Sequence, residues 1–361
     1  MQVKNNMEKR FRNTEAVKLD RRKLLQAMGW TASAVVVANA FPDSLSALAG
    51  DAAQDVVSGT RVFPVKTVNH LSLAVADYAK SRDFYVDLLG MRVVWDNGKG
   101  VALEFGDLKA PNGIYIRNVS NPGEKATVNH IAYALPDFMK YKAAMKAELE
   151  RHHLTNMKPD GDVGWICDDP AGYMLNIVAT KDHAMYPGAA ATCDVASSPQ
   201  CKAGWEEGLK NLSTATKPGG KGFKATSYSH VVLHVPEKDI AKETEFYRDV
   251  LAMKVLYTKS GDNPQSILRF GQNTLNLRKT PNPGDKPYCT HFAFVVENFN
   301  RDKVKAELEL RSLSPKPYSD MAWSFMDPDG FQVELAAWGL PEHLAKDCRG
   351  DAASCPSGTG N

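Results

Sequence analysis

A histidine recurs four times at the same point of a strand-like run, and this restricts the fold more than any other feature of the chain. The runs are Val68-Asn69-His70-Leu71-Ser72-Leu73-Ala74-Val75, Val128-Asn129-His130-Ile131-Ala132-Tyr133-Ala134-Leu135, Tyr228-Ser229-His230-Val231-Val232-Leu233-His234-Val235 and Cys289-Thr290-His291-Phe292-Ala293-Phe294-Val295-Val296. β-Branched and aromatic residues at this density predict strands. The histidines are 60, 100 and 61 residues apart, so the units come in two pairs with extra chain between the pairs. Self-similarity of this kind means one supersecondary unit used repeatedly. Other landmarks keep the same register. Phe84-Tyr85-Val86-Asp87-Leu88-Leu89-Gly90-Met91 answers Phe246-Tyr247-Arg248-Asp249-Val250-Leu251-Ala252-Met253, and Asp169-Pro170-Ala171-Gly172 answers Asp327-Pro328-Asp329-Gly330.

Each unit reads β-α-β-β-β. In the first, Asp77 suits a helix N-cap. Tyr78, Arg82, Tyr85 and Leu89 then recur at helical spacing, and Gly90 provides a stop. Strands are predicted at Met91–Trp95, Val101–Phe105 and Gly113–Asn118. The second unit places its helix near Phe138–His153 and strands near Gly164–Cys167 and Tyr173–Ala179. Units three and four repeat the order, and Asp-Pro-x-Gly marks the tight turn before each closing strand. The expected fold class is α+β, four βαβββ modules making two domains, at residues 66–180 and 226–340. Lys181–Ala225 reads as a linker with a short helix near Trp205–Leu212, and residues 341–361 as a polar tail.

The N-terminus reads as a targeting segment, residues 1–49. Asp20-Arg21-Arg22-Lys23-Leu24-Leu25 precedes a weakly apolar run from Ala27 to Phe41 and then Ala47-Leu48-Ala49, a small-x-small cleavage site. It resembles a twin-arginine signal, although Asp20 replaces the usual Ser or Thr and Leu24 the common Phe. The resemblance implies the twin-arginine export machinery as a partner and a periplasmic or extracellular location, with no stable membrane insertion of the mature chain. These 49 residues hold eight of the 44 Lys and Arg and four of the 42 Asp and Glu, so the remainder carries 36 basic against 38 acidic side chains. A nearly neutral body gives no electrostatic reason to expect nucleic acid as a partner. The cysteines fit export: Cys193 with Cys201, and Cys348 with Cys355, are close in loop-like sequence and suit disulfides. Cys167 and Cys289 sit in strand-like runs and read as buried thiols.

Paired βαβββ units, a strand-borne His near each start and Asp-Pro-x-Gly before a closing strand resemble the vicinal oxygen chelate superfamily. That superfamily includes glyoxalase I, fosfomycin-resistance proteins, bleomycin-binding proteins and extradiol dioxygenases. The resemblance covers about residues 66–180 and 226–338. It specifies a fold more than a reaction, because this fold hosts several chemistries.

Strand alternation then places the chemistry. His230, Val232 and His234 share one face, and Val231, Leu233 and Val235 the other. Gln332, Glu334 and Ala336 share a face opposite Val333 and Leu335. A carboxylate between aliphatic neighbours is costly to bury unpaired, and a metal ion would satisfy it. Glu334 also stands where the superfamily carries its third ligand, so His230, His291 and Glu334 are the expected metal set. Two imidazoles, one carboxylate and open positions favour Fe(II), with Mn(II) or Zn(II) also fitting. His70 and His130 match in the first pair, but Asn176 stands at the acidic position, so that site reads as lost or weakened. Swapped packing, as in some glyoxalases, would instead bring His70 to His291 and Glu334; the linker permits either arrangement.

Further candidates surround this set. His234 shares the His230 face and is a candidate acid or base. Asn276 stands where glyoxalases often carry another acidic ligand. Arg278 shares its face and suits an anionic substrate group. Tyr318 and Trp323 precede the Asp-Pro turn and are candidate pocket walls. Three functions compete. The four-unit length and the metal set in the second pair favour a dioxygenase-like enzyme, although Trp323-Ser324-Phe325-Met326 occupies the stretch where extradiol enzymes carry a Tyr. Texture such as Phe325-Met326-Asp327-Pro328-Asp329-Gly330 resembles fosfomycin-resistance proteins and implies a lyase or transferase with the metal as Lewis acid. A metal-free binding protein is the third reading, and retention of Glu334 argues against it.

Overall fold

The His-bearing runs become the central strands of two eight-stranded sheets. The computed structural model describes residues 62–107, 111–180 and 222–340, all inside one compact unit. The targeting segment, nearly all of the linker with its expected helix, the tail after Leu340, and Cys193, Cys201, Cys348 and Cys355 lie outside the described residues.

The first half runs β1 (Thr67–Val75), α1 (Tyr78–Leu89), β2 (Arg92–Asp96), β3 (Gly100–Phe105), β4 (Asn112–Asn118), β5 (Thr127–Leu135), α2 (Phe138–Arg151), β6 (Lys158–Asp160), β7 (Gly164–Asp168) and β8 (Met174–Ala179). The second half repeats the order, with a single turn of 3-10 helix at Glu237–Asp239 between its first strand and its first helix. It comprises β9 (Ala225–Val235), α3 (Ile240–Asp249), β10 (Lys254–Lys259), β11 (Gln265–Phe270), β12 (Asn273–Lys279), β13 (Tyr288–Val296), α4 (Arg301–Leu310), β14 (Lys316–Ser319), β15 (Ala322–Met326) and β16 (Gln332–Ala336). The strand orders are β2-β3-β4-β1-β5-β8-β7-β6 and β10-β11-β12-β9-β13-β16-β15-β14. Two modules thus join edge to edge through antiparallel pairing of their first strands, β1 with β5 and β9 with β13.

Local chemistry explains the elements. The Asp77 carboxylate accepts from Ala79 N–H at 3.1 Å and Lys80 N–H at 3.2 Å, starting α1. Gly90 ends it in the left-handed region at φ 61°. In each Asp-Pro-x-Gly turn the first Asp gathers two amides: Asp327 Oδ1 accepts from Asp329 N–H at 2.9 Å and Phe331 N–H at 2.8 Å, and Asp169 does the same with Ala171 and Tyr173. The short edge strands β6 and β14 were not expected. Lys158-Pro159-Asp160 and Lys316-Pro317-Tyr318-Ser319 are brief and each carries a proline, which only an edge accepts.

One face of each sheet is apolar and packs into a single core spanning both halves. Val231, Leu233, Val235, Phe292, Phe294, Val333 and Leu335 are all buried there. The junction is reciprocal. Tyr85 of α1 donates to Asp327 Oδ2 at 2.6 Å in the fourth module. Tyr247 of α3 donates to Asp169 Oδ2 at 3.0 Å in the second. The two repeated landmarks of the sequence therefore hydrogen-bond to each other across the halves. Backbones also approach closely: a Cβ on Gly271, whose φ is +54°, would overlap the carbonyl of Lys66, and one on Gly106, at φ +80°, that of Thr226. Cys167 and Cys289 are buried free thiols, and burial pushes both up to about 12.

Candidate metal centre

Three adjacent strands converge on one point of the second sheet. Ala293 of β13 lies between His230 of β9 and Glu334 of β16 in the register. The small methyl of Ala293 leaves room above it for the flanking side chains to lean together. His291 stands two residues along β13 on the same face. His230 Nε2 lies 3.3 Å from one Glu334 oxygen and His291 Nε2 lies 3.5 Å from the other. One ligand atom from each of the three residues falls within 4.8 Å of the others, the one such group of His, Cys, Asp and Glu among the described residues.

The donor chemistry fits a cation. His230 and Glu334 are fully buried and His291 nearly so. His230 Nε2, His291 Nε2 and both Glu334 oxygens have no hydrogen-bond partner. Their separations exceed the ~2.7–2.9 Å of a charge-assisted hydrogen bond and match donors placed about 2.0–2.2 Å from a shared ion. A buried carboxylate left in this state costs several kcal/mol. Burial, and then the neighbouring His230 and Arg278, hold His291 well below its usual range and so in the neutral form that a metal needs. Ser229 Oγ and Thr290 Oγ1 each lie 3.4 Å from Nδ1 of the adjacent histidine, leaving Nε2 to face inward.

Polar groups surround this point. Tyr318 of β14 stacks over His230 with ring centroids 6.0 Å apart and shares a hydrogen bond with Arg278. Burial and the Glu334 charge push its hydroxyl up to about 12. Arg278 and Asn276 of β12 pair with His234 and Val232 of β9, and Arg278 Nε and Asn276 Oδ1 are buried without hydrogen-bond partners. His234 stacks on Tyr288 at 5.4 Å, and its Nδ1 is likewise unpartnered. Burial and then Arg278 lower it to about 4, so it is neutral at pH 7.

Trp323 is not a pocket wall. It pairs with Leu335 on the apolar side of β15. Its indole N–H donates to the Arg301 carbonyl at 3.0 Å, and the Arg301 guanidinium lies 4.6 Å from its ring centroid. The swapped arrangement does not occur either. His70 lies in the other sheet with its Nε2 3.1 Å from His130 Nε2, because β1 pairs with β5 rather than with a strand of the second half. Asp160 went unrecognised in the sequence: it donates nothing to the family motif, yet it accepts from Asn176 Nδ2 at 2.8 Å. The signal available was the shared Lys-Pro that aligns Lys158-Pro159-Asp160 with Lys316-Pro317-Tyr318.

The strand order of both halves is that expected of the vicinal oxygen chelate fold. Residues 67–177 match the family model described as "Glyoxalase/Bleomycin resistance protein/Dioxygenase superfamily". The first half thus carries a domain of that superfamily, and the second half repeats the strand order of the matched first half. No curated protein matches the sequence. Among solved structures it is similar to the 2,3-dioxygenase LapB from Pseudomonas sp. KL28, with a TM-score of 0.56 and 16% identity over 76% of this chain and 93% of that one. The Mn(II)-bound glyoxalase from Novosphingobium aromaticivorans gives 0.54 and 17%, over 76% and 83%. A variant of homoprotocatechuate 2,3-dioxygenase from B. fuscum gives 0.55 and 16%, over 78% and 74%. At these identities the likeness is one of fold.

Proposed function

We propose that the chain is a divalent-metal-dependent enzyme, of dioxygenase-like type, acting on a small organic anion in the cup of its second half. The observation that carries this reading is the set of four buried, unpartnered donor atoms on His230, His291 and Glu334. An ion there, Fe(II) in preference to Mn(II) or Zn(II), supplies Lewis-acid polarisation and, if redox-active, electron exchange with dioxygen. The protein's own side chains do the rest. Arg278 presents a buried, unpartnered Nε and binds an acidic substrate group. Asn276 Oδ1 accepts from a substrate hydroxyl. His234, neutral with an unpartnered Nδ1, takes a proton from the bound substrate. Tyr318 forms a wall over His230 and keeps its own proton. Export by the twin-arginine route to the periplasm or beyond belongs to the same proposal, supported by the order of Arg21-Arg22, the apolar run and Ala47-Leu48-Ala49. That route carries folded proteins, so an ion acquired in the cytoplasm would travel with the chain. No helix among the described residues is long and apolar enough to cross a membrane.

A second reading has one specific observation behind it. Ser324, not an acid–base side chain, stands opposite Glu334 on β15, which suits glyoxalase- or fosfomycin-type chemistry with the ion as a Lewis acid alone. Elemental analysis of purified protein beside Glu334→Ala, followed by oxygen uptake on a panel of phenolic acids, separates the readings. Bound iron with Arg278-dependent oxygen uptake supports the first. Thiol-dependent turnover without oxygen uptake supports the second. Wild type as metal-free as the variant overturns both and leaves a binding protein.

A further inference from the structure

One row of side chains crosses each sheet at the rim of its cup, and the two rows differ in bulk. In the second half the row is Gln265, Arg278, His234 and Tyr288, on β11, β12, β9 and β13. In the first half it is Gly100, Arg117, Ala74 and Thr127, on β3, β4, β1 and β5. The arginine recurs, and both residues that flank it are smaller. His234 and Tyr288 stack at 5.4 Å and fill the second rim. With Ala74 and Thr127 in their places, the first rim opens into a cavity of about 310 Å³. Arg117 lines this cavity together with Ser120, Glu124 and Lys125. Those last three belong to a loop that the two halves share: Asn121-Pro122-Gly123-Glu124-Lys125 answers Asn282-Pro283-Gly284-Asp285-Lys286. In both loops the acid is committed to its own turn. Glu124 Oε2 accepts from Ser120 N–H at 3.2 Å and Asn121 N–H at 3.3 Å, and its Oε1 accepts from Asn121 Nδ2. Asp285 Oδ2 accepts from Asn282 N–H at 3.1 Å and from its Nδ2 at 3.2 Å. Glu124 thus shapes the loop that brings Lys125 to the cavity. No carboxylate among the described residues forms an ion pair with Arg117 or Lys125. The three charged groups of the cavity, Arg117, Lys125 and Glu124, sum to one positive charge.

We propose that the rim of the first cup is a binding site for a small monocarboxylate, held by Arg117 and Lys125 and separate from the metal centre. A net charge of one suits a monoanion. The planar fork of Arg117 matches the two oxygens of a carboxylate, and the Ser120 and Thr127 hydroxyls can donate beside it. Ala74 and Val119 supply an apolar wall for the rest of the acid. The volume lies at the lower end of the ~300–1,000 Å³ of small-molecule sites, which restricts the ligand to a small acid. Where the second rim holds the His234 imidazole the first holds only a methyl, so the acid is bound and not transformed. This inference does not rest on the proposed activity. The test is calorimetric titration with benzoate of the full chain carrying Arg278→Ala, so that the second rim adds no binding of its own. One equivalent should bind. Adding Arg117→Ala should weaken it by about tenfold or more, and Arg117→Lys, which keeps the charge and loses the fork, by a smaller factor. Ala74→His with Thr127→Tyr should abolish binding by filling the cavity, a readout that holds even if Arg117→Ala fails to fold. Inorganic phosphate should compete about tenfold more weakly than benzoate or worse. No binding in the Arg278→Ala chain, or binding unchanged by Arg117→Ala or by the filled cavity, overturns the inference. Equal competition by phosphate also overturns it and means an unselective cationic patch.

Discussion

The two cups of this molecule share a frame and differ in charge. In both, the register sets an alanine between a histidine of one neighbouring strand and a polar residue of the other, with a second histidine two residues along the alanine's own strand. In the second cup that side chain is Glu334, with both oxygens buried and unpartnered. In the first it is Asn176, whose amide is tied to Asp160. The comparison shows that strand register repeats the position of these side chains in both halves, whereas the identity of one residue on β8 or β16 decides whether that position carries an amide or a carboxylate.

The sharpest way to break the comparison is to make the second cup resemble the first. Glu334→Gln removes the only anionic donor of the set and should weaken divalent metal binding by more than about 100-fold, since ligand loss exceeds the ~10–100-fold typical of outer-shell changes; competitive titration against a chromophoric chelator measures it. Filling the space above the shared alanine is a second route. Ala293→Val should impair metal binding in the second cup only, and metal analysis with a thermal melt separates that from misfolding.

The junction between halves offers a comparison of its own. Gly271→Ala and Gly106→Ala each place a methyl against a carbonyl of the other half at a positive φ. Each should cost about 2 kcal/mol or more in denaturant unfolding, with similar losses if the halves dock as reciprocally as Tyr85–Asp327 and Tyr247–Asp169 indicate. Glu243 breaks that symmetry. It is fully buried, its Oε1 accepts from Ala171 N–H, its Oε2 has no partner, and it lies beside Asp169. Burial, and for Glu243 the adjacent Asp169 charge, raise both carboxyls in the folded state. Raised folded values mean that stability is greatest below the unfolded carboxylate range of roughly pH 4 and declines as pH rises through the folded values. Glu243→Gln should therefore raise the Tm at pH 8 by about 2–4 °C for each kcal/mol relieved and change it little near pH 4. A gain independent of pH would mean that the pair carries no excess charge.

Much of this was legible in the residues because strands reveal their faces. A period of two put His230, Glu334 and His234 on the cup side, and the same rule would have removed Trp323: in Ala322-Trp323-Ser324-Phe325-Met326 the aromatics alternate with small or polar residues, and only the latter share the Glu334 face. Asp77, Gly90 and the Asp-Pro-x-Gly turns announced themselves through capping and turn chemistry that acts within a few residues. The Tyr85–Asp327 and Tyr247–Asp169 bonds were invisible because each joins residues 242 or 78 positions apart through docking that no local pattern encodes. The edge strands escaped because three or four residues with a proline carry no alternation to count. Tyr318 reached the cup, and Asp160 reached Asn176, only through those edges.

The account stands on an ion seated between His230, His291 and Glu334. Anomalous scattering from crystals of the protein loaded with Mn(II) or Fe(II), collected on both sides of the metal edge, addresses it directly. The expected result is a peak about 2.0–2.3 Å from both Nε2 atoms and a Glu334 oxygen, absent in Glu334→Gln. A featureless map there, with the carboxylate hydrogen-bonded to a protonated imidazole, would contradict it.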